Sequence, residues 1–205
     1  HAGTLGDPYL APSLRSAVLA ANANPGADTI LFDSALNGSP ITLTRTGSDD
    51  TAQFGDLDVT GPLTVQGNGS ANTIIQAGTS AANGIDKIFS FNPLGSLAGF
   101  PVTLTGFTLR YGRNQESYAG GNGFGGAFDF DAGTSAVAPG TLAMTNVVVR
   151  DCSTTDADGG GVAVFLDRGG TVSIQSCSFQ SNIASRASPN AGVGGGIFFG
   201  TTSVE

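Results

Sequence analysis

The sequence predicts an all-β chain folded as a solenoid of stacked parallel strands. Three observations carry this expectation: glycine is abundant while charge is scarce, a Gly-Gly-hydrophobic mark recurs at a fixed period, and one pattern of apolar positions repeats three times. The chain has 205 residues, enough to bury a substantial core. Its 32 glycines are about twice the usual share, and its 12% of charged residues is about half of it. With 40% hydrophobic residues spread along its length, the chain is expected to fold rather than stay disordered. Residues 1–205 are read as a single domain, divided into an N-terminal cap region (1–34), early rungs (35–100) and repeats (101–205) with the last rung incomplete.

The first element is the only convincing helix. Ser13-Leu-Arg-Ser-Ala-Val-Leu-Ala-Ala21 places Leu14, Ala17, Val18 and Ala21 on one face, with Ser13 as the N-cap and Pro25-Gly26 as the stop. A short amphipathic helix ahead of a solenoid is expected to cover the unpaired first rung and so block edge pairing. Early strands follow at Thr29–Phe32, Ile41–Thr44, Leu57–Gly67, Thr73–Gly78 and Ile88–Phe91, each short and rich in β-branched or aromatic residues.

The second half repeats. Gly125-Gly126-Ala127, Gly160-Gly161-Val162 and Gly195-Gly196-Ile197 keep a period of 35 residues. Between them lie Val102–Leu109, Leu142–Val149 and Val172–Phe179, whose apolar positions superimpose as Val102, Leu142, Val172; Leu104, Met144, Ile174; Phe107, Val147, Cys177; and Leu109, Val149, Phe179. Alternation within each segment gives a strand with one buried face, and the shift after its third place implies a bend into a second strand. Such a rung cannot bury its apolar face alone and must stack on its neighbours. Val137–Gly140, Ser117–Gly126 and Arg186–Gly194 are expected to protrude as loops, where function usually sits.

Two segments carry a family resemblance. Ser13-Leu14-Arg15-Ser16-Ala17 followed by Ala20-Ala21-Asn22-Ala23-Asn24-Pro25-Gly26-Ala27-Asp28-Thr29-Ile30 resembles the N-terminal Ser-Leu-Arg-Glu-Ala module of secreted bacterial β-helix proteins, with Ser16 in place of the usual Glu. Phe179-Gln-Ser-Asn182 with Gly194-Gly195-Gly196-Ile197 resembles the Phe-x-x-Asn and Gly-Gly-hydrophobic repeats of polymorphic outer-membrane-type adhesins. The Phe-x-x-Asn signature is complete only in the last rung. The resemblance implies a right-handed parallel β-helix with a short N-terminal amphipathic capping helix, on a secreted or cell-surface protein. It implies no activity.

Candidate chemistry is sparse. The formal charge of −8 offers no footprint for nucleic acid, and no apolar run approaches the ~20 residues of a membrane span. Glu116 and Glu205 are the only glutamates, which leaves little for glycosidase or lyase chemistry. Asp129 and Asp131 alternate with Phe128 and Phe130, which turns both carboxylates outward, either as plain surface groups or toward Ca²⁺ or a sugar. Asp156-Ala-Asp158-Gly159 resembles the start of a calcium loop but lacks the later acidic ligand. No cofactor is expected, with Ca²⁺ the one ion these aspartates leave open. Arg110 and Arg150 share a place in successive rungs and need partners at the ~4.8 Å strand spacing. Asp151 or Tyr111 satisfies them locally, or together they contact an acidic sugar.

Cys177, aligned with Phe107 and Val147, is expected to be a small buried thiol, and Cys152 lies in a different column, at a turn. That separation argues against a bridge unless the loops bend. Asn182 is expected to bond turn backbone. A copper site at His1 would need a second histidine, which the sequence lacks. The threonines keep no single column, so an ice-binding array ranks last. The leading expectation is a non-catalytic extracellular module with a structural, adhesin-like or filament-forming role. Its partners would be copies of itself or further rungs through an open C-terminal end, and surface glycans. The candidate ligand-binding residues are Arg110, Tyr111, Arg150, Asp151, Asp129 and Asp131, and no catalytic residue is assigned. The alternative is a carbohydrate-active enzyme on the same fold, which a cleft lined by Asp129, Asp131, Arg110 and Arg150 would favour.

Overall fold

The computed structural model describes residues 8–93, 95, 98–115, 124–167, 169–185 and 192–201. The chain winds through five coils, each laying one short strand on each of three parallel sheets. Coil 1 contains β1 (Asp28–Leu31), β2 (Ile41–Thr42) and β3 (Leu57–Val59), and coil 2 contains β4 (Leu63–Gln66), β5 (Ile74–Gln76) and β6 (Phe89–Phe91). Coil 3 adds a fourth strand: β7 (Pro101–Thr105), β8 (Thr108–Arg110), β9 (Arg113–Asn114) and β10 (Phe128–Asp131). Coil 4 repeats this as β11 (Thr141–Thr145), β12 (Val148–Arg150), β13 (Ser153–Thr155) and β14 (Val162–Phe165). Coil 5 is β15 (Thr171–Gln175), β16 (Ser178–Gln180), β17 (Ile183–Ser185) and β18 (Ile197–Gly200).

The sheets are β1-β4-β7-β11-β15, β2-β5-β8-β12-β16 and β3-β6-β10-β14-β18, with a short β9-β13-β17 sheet between the last two. Every described strand pair is parallel. This is an all-β parallel solenoid.

The predicted columns are the observed register. Val65, Leu104, Met144 and Ile174 pair in sequence on the first sheet, and Ile75, Leu109, Val149 and Phe179 on the second. On the third, Leu57, Phe89, Phe128, Val162 and Ile197 form one inward ladder. Phe89 and Phe91 stack with centroids 5.4 Å apart, and Phe91 meets Phe128 edge-on at 5.5 Å. Such pairs add to the burial term that dominates the core. The bends recur too: Gly106, Asn146 and Ser176 take φ of 70°, 55° and 51°, and Tyr111, Asp151 and Ser181 take 63°, 55° and 52°. Each set sits at one corner of successive coils, where a left-handed residue turns the chain onto the next sheet.

Two expectations need correcting. Ala127 does not align with Val162, because Phe128 does. The extra residue is absorbed in a bulge, where Ala127 N and Phe128 N both donate to Gly161 O, so the Gly-Gly spacing overstates the regularity by one residue. The two thiols also exchange places. Cys152 is the buried one, and Cys177, on the last coil, is partly exposed. Both are free, and each Sγ donates to the carbonyl two residues earlier.

Asn182 behaves as expected: Oδ1 accepts from Cys152 N at 3.1 Å and Nδ2 donates to Val149 O at 2.9 Å, tying coil 5 to the turn of coil 4. On coil 5 the ladder members Val172, Ile174, Phe179 and Ile197 are only partly covered, whereas their coil 4 counterparts are fully buried. Val137 projects from its loop at 95% exposure. The expected loops at 117–126 and 186–194 fall mostly outside the described residues, as do His1, Glu116 and Glu205.

Helix α1 (Leu14–Ala23) starts at Ser13, whose side chain accepts from Ser16 N while Ser16 Oγ accepts from Ser13 N at 3.0 Å. Ser16 thus completes a capping box without a glutamate. Leu14 and Val18 face the core.

Candidate functional site

The densest chemistry lies on the outer side of the third sheet. Asp58, Ser90 and Asp129 occupy one outward column on β3, β6 and β10, and the segment 45–56 packs over it. Three contacts hold that segment down from α1: the Arg15 guanidinium donates to Ala52 O at 2.7 Å, Asp56 O at 2.9 Å and Gly55 O at 2.5 Å. A planar fork with several donors suits a position where one cation satisfies several buried carbonyls. Asp49 orders the segment's tip by accepting from Thr51, Gln53 and Phe54 backbone N–H groups.

Under this cover sits Lys87, 5% exposed. Its Nζ is 3.0 Å from Asp129 Oδ1 and 3.9 Å from Asp56 Oδ2. Asp58 Oδ2 accepts from Ala52 N at 2.8 Å, Asp86 Oδ1 accepts from Lys87 N at 2.8 Å, and Ser90 Oγ lies 3.2 Å from Asp129 Oδ2. Burial pushes the Asp56 carboxyl well above its ordinary range; Lys87 opposes this, while Asp58, Asp86 and Asp129 add to it. Burial likewise raises Asp58 to about 7 against the pull of the Ala52 N–H and Lys87. Asp49 is held below the usual range, because its hydrogen bonds to Thr51, Gln53 and Phe54 outweigh its slight burial. The space among these groups is about 10 Å³, room for one water at most. A sugar ring does not fit.

The second feature is open. A shallow groove of about 530 Å³ crosses coils 2 to 5 along the corner between the second sheet and the short one, lined by Ala81, Ala82, Arg113, Asp151, Cys152, Ser153, Ser181 and Ile183. Beside it runs the outward column Thr42, Gln76, Arg110, Arg150, Gln180. Gln76 Nε2 donates to Thr42 Oγ1 at 2.9 Å, and Arg110 Nε donates to Gln76 Oε1 at 2.7 Å. The Arg110 guanidinium lies 4.8 Å from the Tyr111 ring centroid, and Arg150 pairs with Asp151 at 2.6 Å. The two stacked arginines therefore each find a local partner.

Arg110, Tyr111, Arg150 and Asp151 are brought together at this corner, the two arginines in one column and Tyr111 and Asp151 in the turn that follows it. Asp129 goes elsewhere, into the Lys87 cluster. Asp131, at the far end of β10, accepts from Gly133 N at 2.6 Å. Asp158 is buried and accepts from Val193 N at 2.9 Å, while Asp156 takes a turn with φ of 62°. Among the described residues, no group of three or more His, Cys, Asp or Glu side chains is disposed to hold a metal. The sequence reading missed Arg15, Asp56, Asp58, Asp86, Lys87 and Ser90. One signal was present: Lys87 is the only lysine in the chain, and it stands between Ile85 and the apolar run from Ile88.

No family model matches the chain, and no curated protein or solved structure is significantly similar to it.

Proposed function

We propose that the chain is a non-catalytic module of a secreted or cell-surface protein, a right-handed β-helix that serves as a scaffold and presents its corner groove to an extended polymer such as a glycan. The observation that carries this reading is the groove itself. It runs across four coils, has Arg113 and Asp151 as polar contacts and Ala81, Ala82 and Ile183 as apolar ones, and so suits a chain lying along the solenoid axis. Handedness follows from the rule that crossovers between parallel strands are right-handed in nearly all cases. The position of α1, pinned by Arg15 to the segment ahead of β3, supports its role as the cover of the first coil.

The sealed carboxylates weigh against the enzyme alternative, since a glycosidase or lyase needs its acid and base to flank a substrate. A further role in extension, with coil 5 stacking against more coils or a second copy, is supported by its half-covered ladder.

The test is binding of the purified chain to immobilised neutral and uronic oligosaccharides. Saturable binding that falls at least tenfold in Arg113→Ala is expected. Absence of binding to every glycan class would refute the adhesive reading, and release of new reducing ends or unsaturated uronides would replace it with the enzyme.

A further inference from the structure

Lysine ordinarily keeps its ammonium in water and is almost never fully buried unless paired. Here the chain's single lysine is enclosed just ahead of β6, against one carboxylate from coil 1 and one from coil 3. As an ion pair the arrangement stabilises little, because desolvating two charges offsets most of their attraction. As a set of reactants it is complete. Lys87 supplies a nucleophilic nitrogen 3.0 Å from an Asp129 carboxyl oxygen, and Ser90 Oγ bonds the other oxygen of that carboxyl at 3.2 Å. Asp56 adds a second buried carboxyl. Its Oδ2 and Asp129 Oδ1 both lack a well-directed hydrogen bond among the described residues, so the Lys87 Nζ contacts at 3.9 and 3.0 Å are close approaches of charge that leave both oxygens unsatisfied.

We propose that Lys87 and Asp129 condense into an intramolecular amide that ties coil 2 to coil 3, with Asp56 relaying protons and Ser90 stabilising the carboxyl oxygen that gains charge. A proton first passes from the Lys87 ammonium to Asp129 Oδ1. The Nζ lone pair then adds to Asp129 Cγ, forming the C–N bond and moving the carbonyl pair onto Oδ2, which Ser90 Oγ–H stabilises. Asp56 takes a proton from the nitrogen and delivers one to the Oδ1 hydroxyl. The Cγ–Oδ1 bond breaks, one water leaves, and Asp56 ends as it began. Nothing is oxidised or reduced, and no co-reactant is consumed.

Burial shifts Asp56 toward the protonated form this relay needs, against the pull of Lys87. Burial also lowers the proton affinity of Lys87, but Asp129 and Asp56 more than offset it, so the free amine is a minor form. A bond made once per molecule needs no more. The closure that keeps a sugar out also excludes the bulk water that would favour hydrolysis.

The experiment is intact-mass spectrometry of the full chain in denaturant, with a count of reactive amines and a tryptic map. The expected mass is one water below that of the sequence, with one reactive amine, the N-terminal one, instead of two. The peptide Thr46–Arg110, left uncut at Lys87, should travel joined to Asn114–Arg150. Asp129→Asn should link with loss of ammonia instead of water, and Asp56→Asn, checked for its fold by circular dichroism, should link at least about tenfold more slowly. An unlinked wild-type chain with full mass and two reactive amines overturns the proposal without recourse to variants. So does a water loss that leaves both amines reactive, the signature of a cyclised aspartate elsewhere.

Discussion

Raising the pH from about 5 to about 8 should destabilise this chain, the reverse of what paired surface carboxylates do. The cause is Asp58, 1% exposed on β3 beneath the 45–56 segment. Its carboxyl titrates near 3.8 when unfolded and near 7 when folded, mainly through burial, with Asp49 and Asp50 adding to the shift. The folded chain thus holds the proton more tightly. The resulting stabilisation is complete below pH 3.8 and is lost as pH rises through 7. At 1.36 kcal/mol for each tenfold change in proton affinity, the full titration has a ceiling of about 4 kcal/mol, of which about 2.5 is lost between pH 5 and 8. Solvent reaching the cluster's edge screens this to about 1 kcal/mol, which for a chain of this size lowers Tm by about 3 °C. Thermal melts followed by circular dichroism at pH 5, 6.5 and 8 measure it. Asp58→Asn keeps an oxygen for the Ala52 N–H and removes the charge, so it should flatten the slope. Asp56, shifted in the same direction, leaves a residual slope that the double Asn variant removes. A wild-type Tm that is constant or rises from pH 5 to 8 would refute the reasoning.

Arg15→Ala withdraws the donor from three carbonyls, of Ala52, Gly55 and Asp56, and should cost about 3 to 5 kcal/mol in urea denaturation; a loss below about 1 kcal/mol would mean water replaces it. Gly112→Ala drives a Cβ to 2.0 Å from Gly126 O and should cost about 3 kcal/mol or more, whereas Gly61→Ala meets nothing within 4 Å and should stay within about 0.5 kcal/mol. Equal losses from the two would contradict the stacking geometry. In the native chain a thiol reagent should modify Cys177 and spare Cys152, whose thiol burial pushes up to about 12; two equally fast cysteines would show that coil 4 opens readily.

What could be read from the sequence was what repeats. Leu104, Met144 and Ile174 lie three coils deep in one column because a period-2 pattern fixes which side faces inward, and a one-residue slip would expose the whole ladder. The same logic paired Arg110 with Arg150 and found the backbone role of Asn182. It failed where the structure departs from periodicity. The bulge at Ala127 is invisible because Ala127 and Phe128 are both apolar, and the pattern does not say which of them takes the register. Cys152 reads as a turn residue because its column neighbours Gly112 and Asn182 carry no apolar signal, yet it is 1% exposed. The Lys87 cluster draws Asp56, Asp58, Lys87 and Asp129 from three coils and its cover from a segment outside any strand. Each of these residues is common on surfaces, and only the fold makes them neighbours.

These irregular contacts also explain how an otherwise uniform ladder keeps its order. Apolar columns of Val, Leu, Ile and Phe are nearly interchangeable from coil to coil, so burial alone discriminates poorly between the correct neighbour and another coil. The polar contacts between coils are all different: Gln76 to Thr42, Arg110 to Gln76, Ser90 to Asp129, and Asn182 to Cys152 and Val149. A coil stacked in the wrong place would leave these groups without partners, and a buried polar group without one is far more costly than an apolar mismatch. The segment over β3 lies outside the ladders, so the Arg15 guanidinium, bonded to the carbonyls of Ala52, Gly55 and Asp56, does there what backbone ladders do elsewhere. The inner columns drive the coils to stack, and the outward and corner groups decide which coil stacks on which.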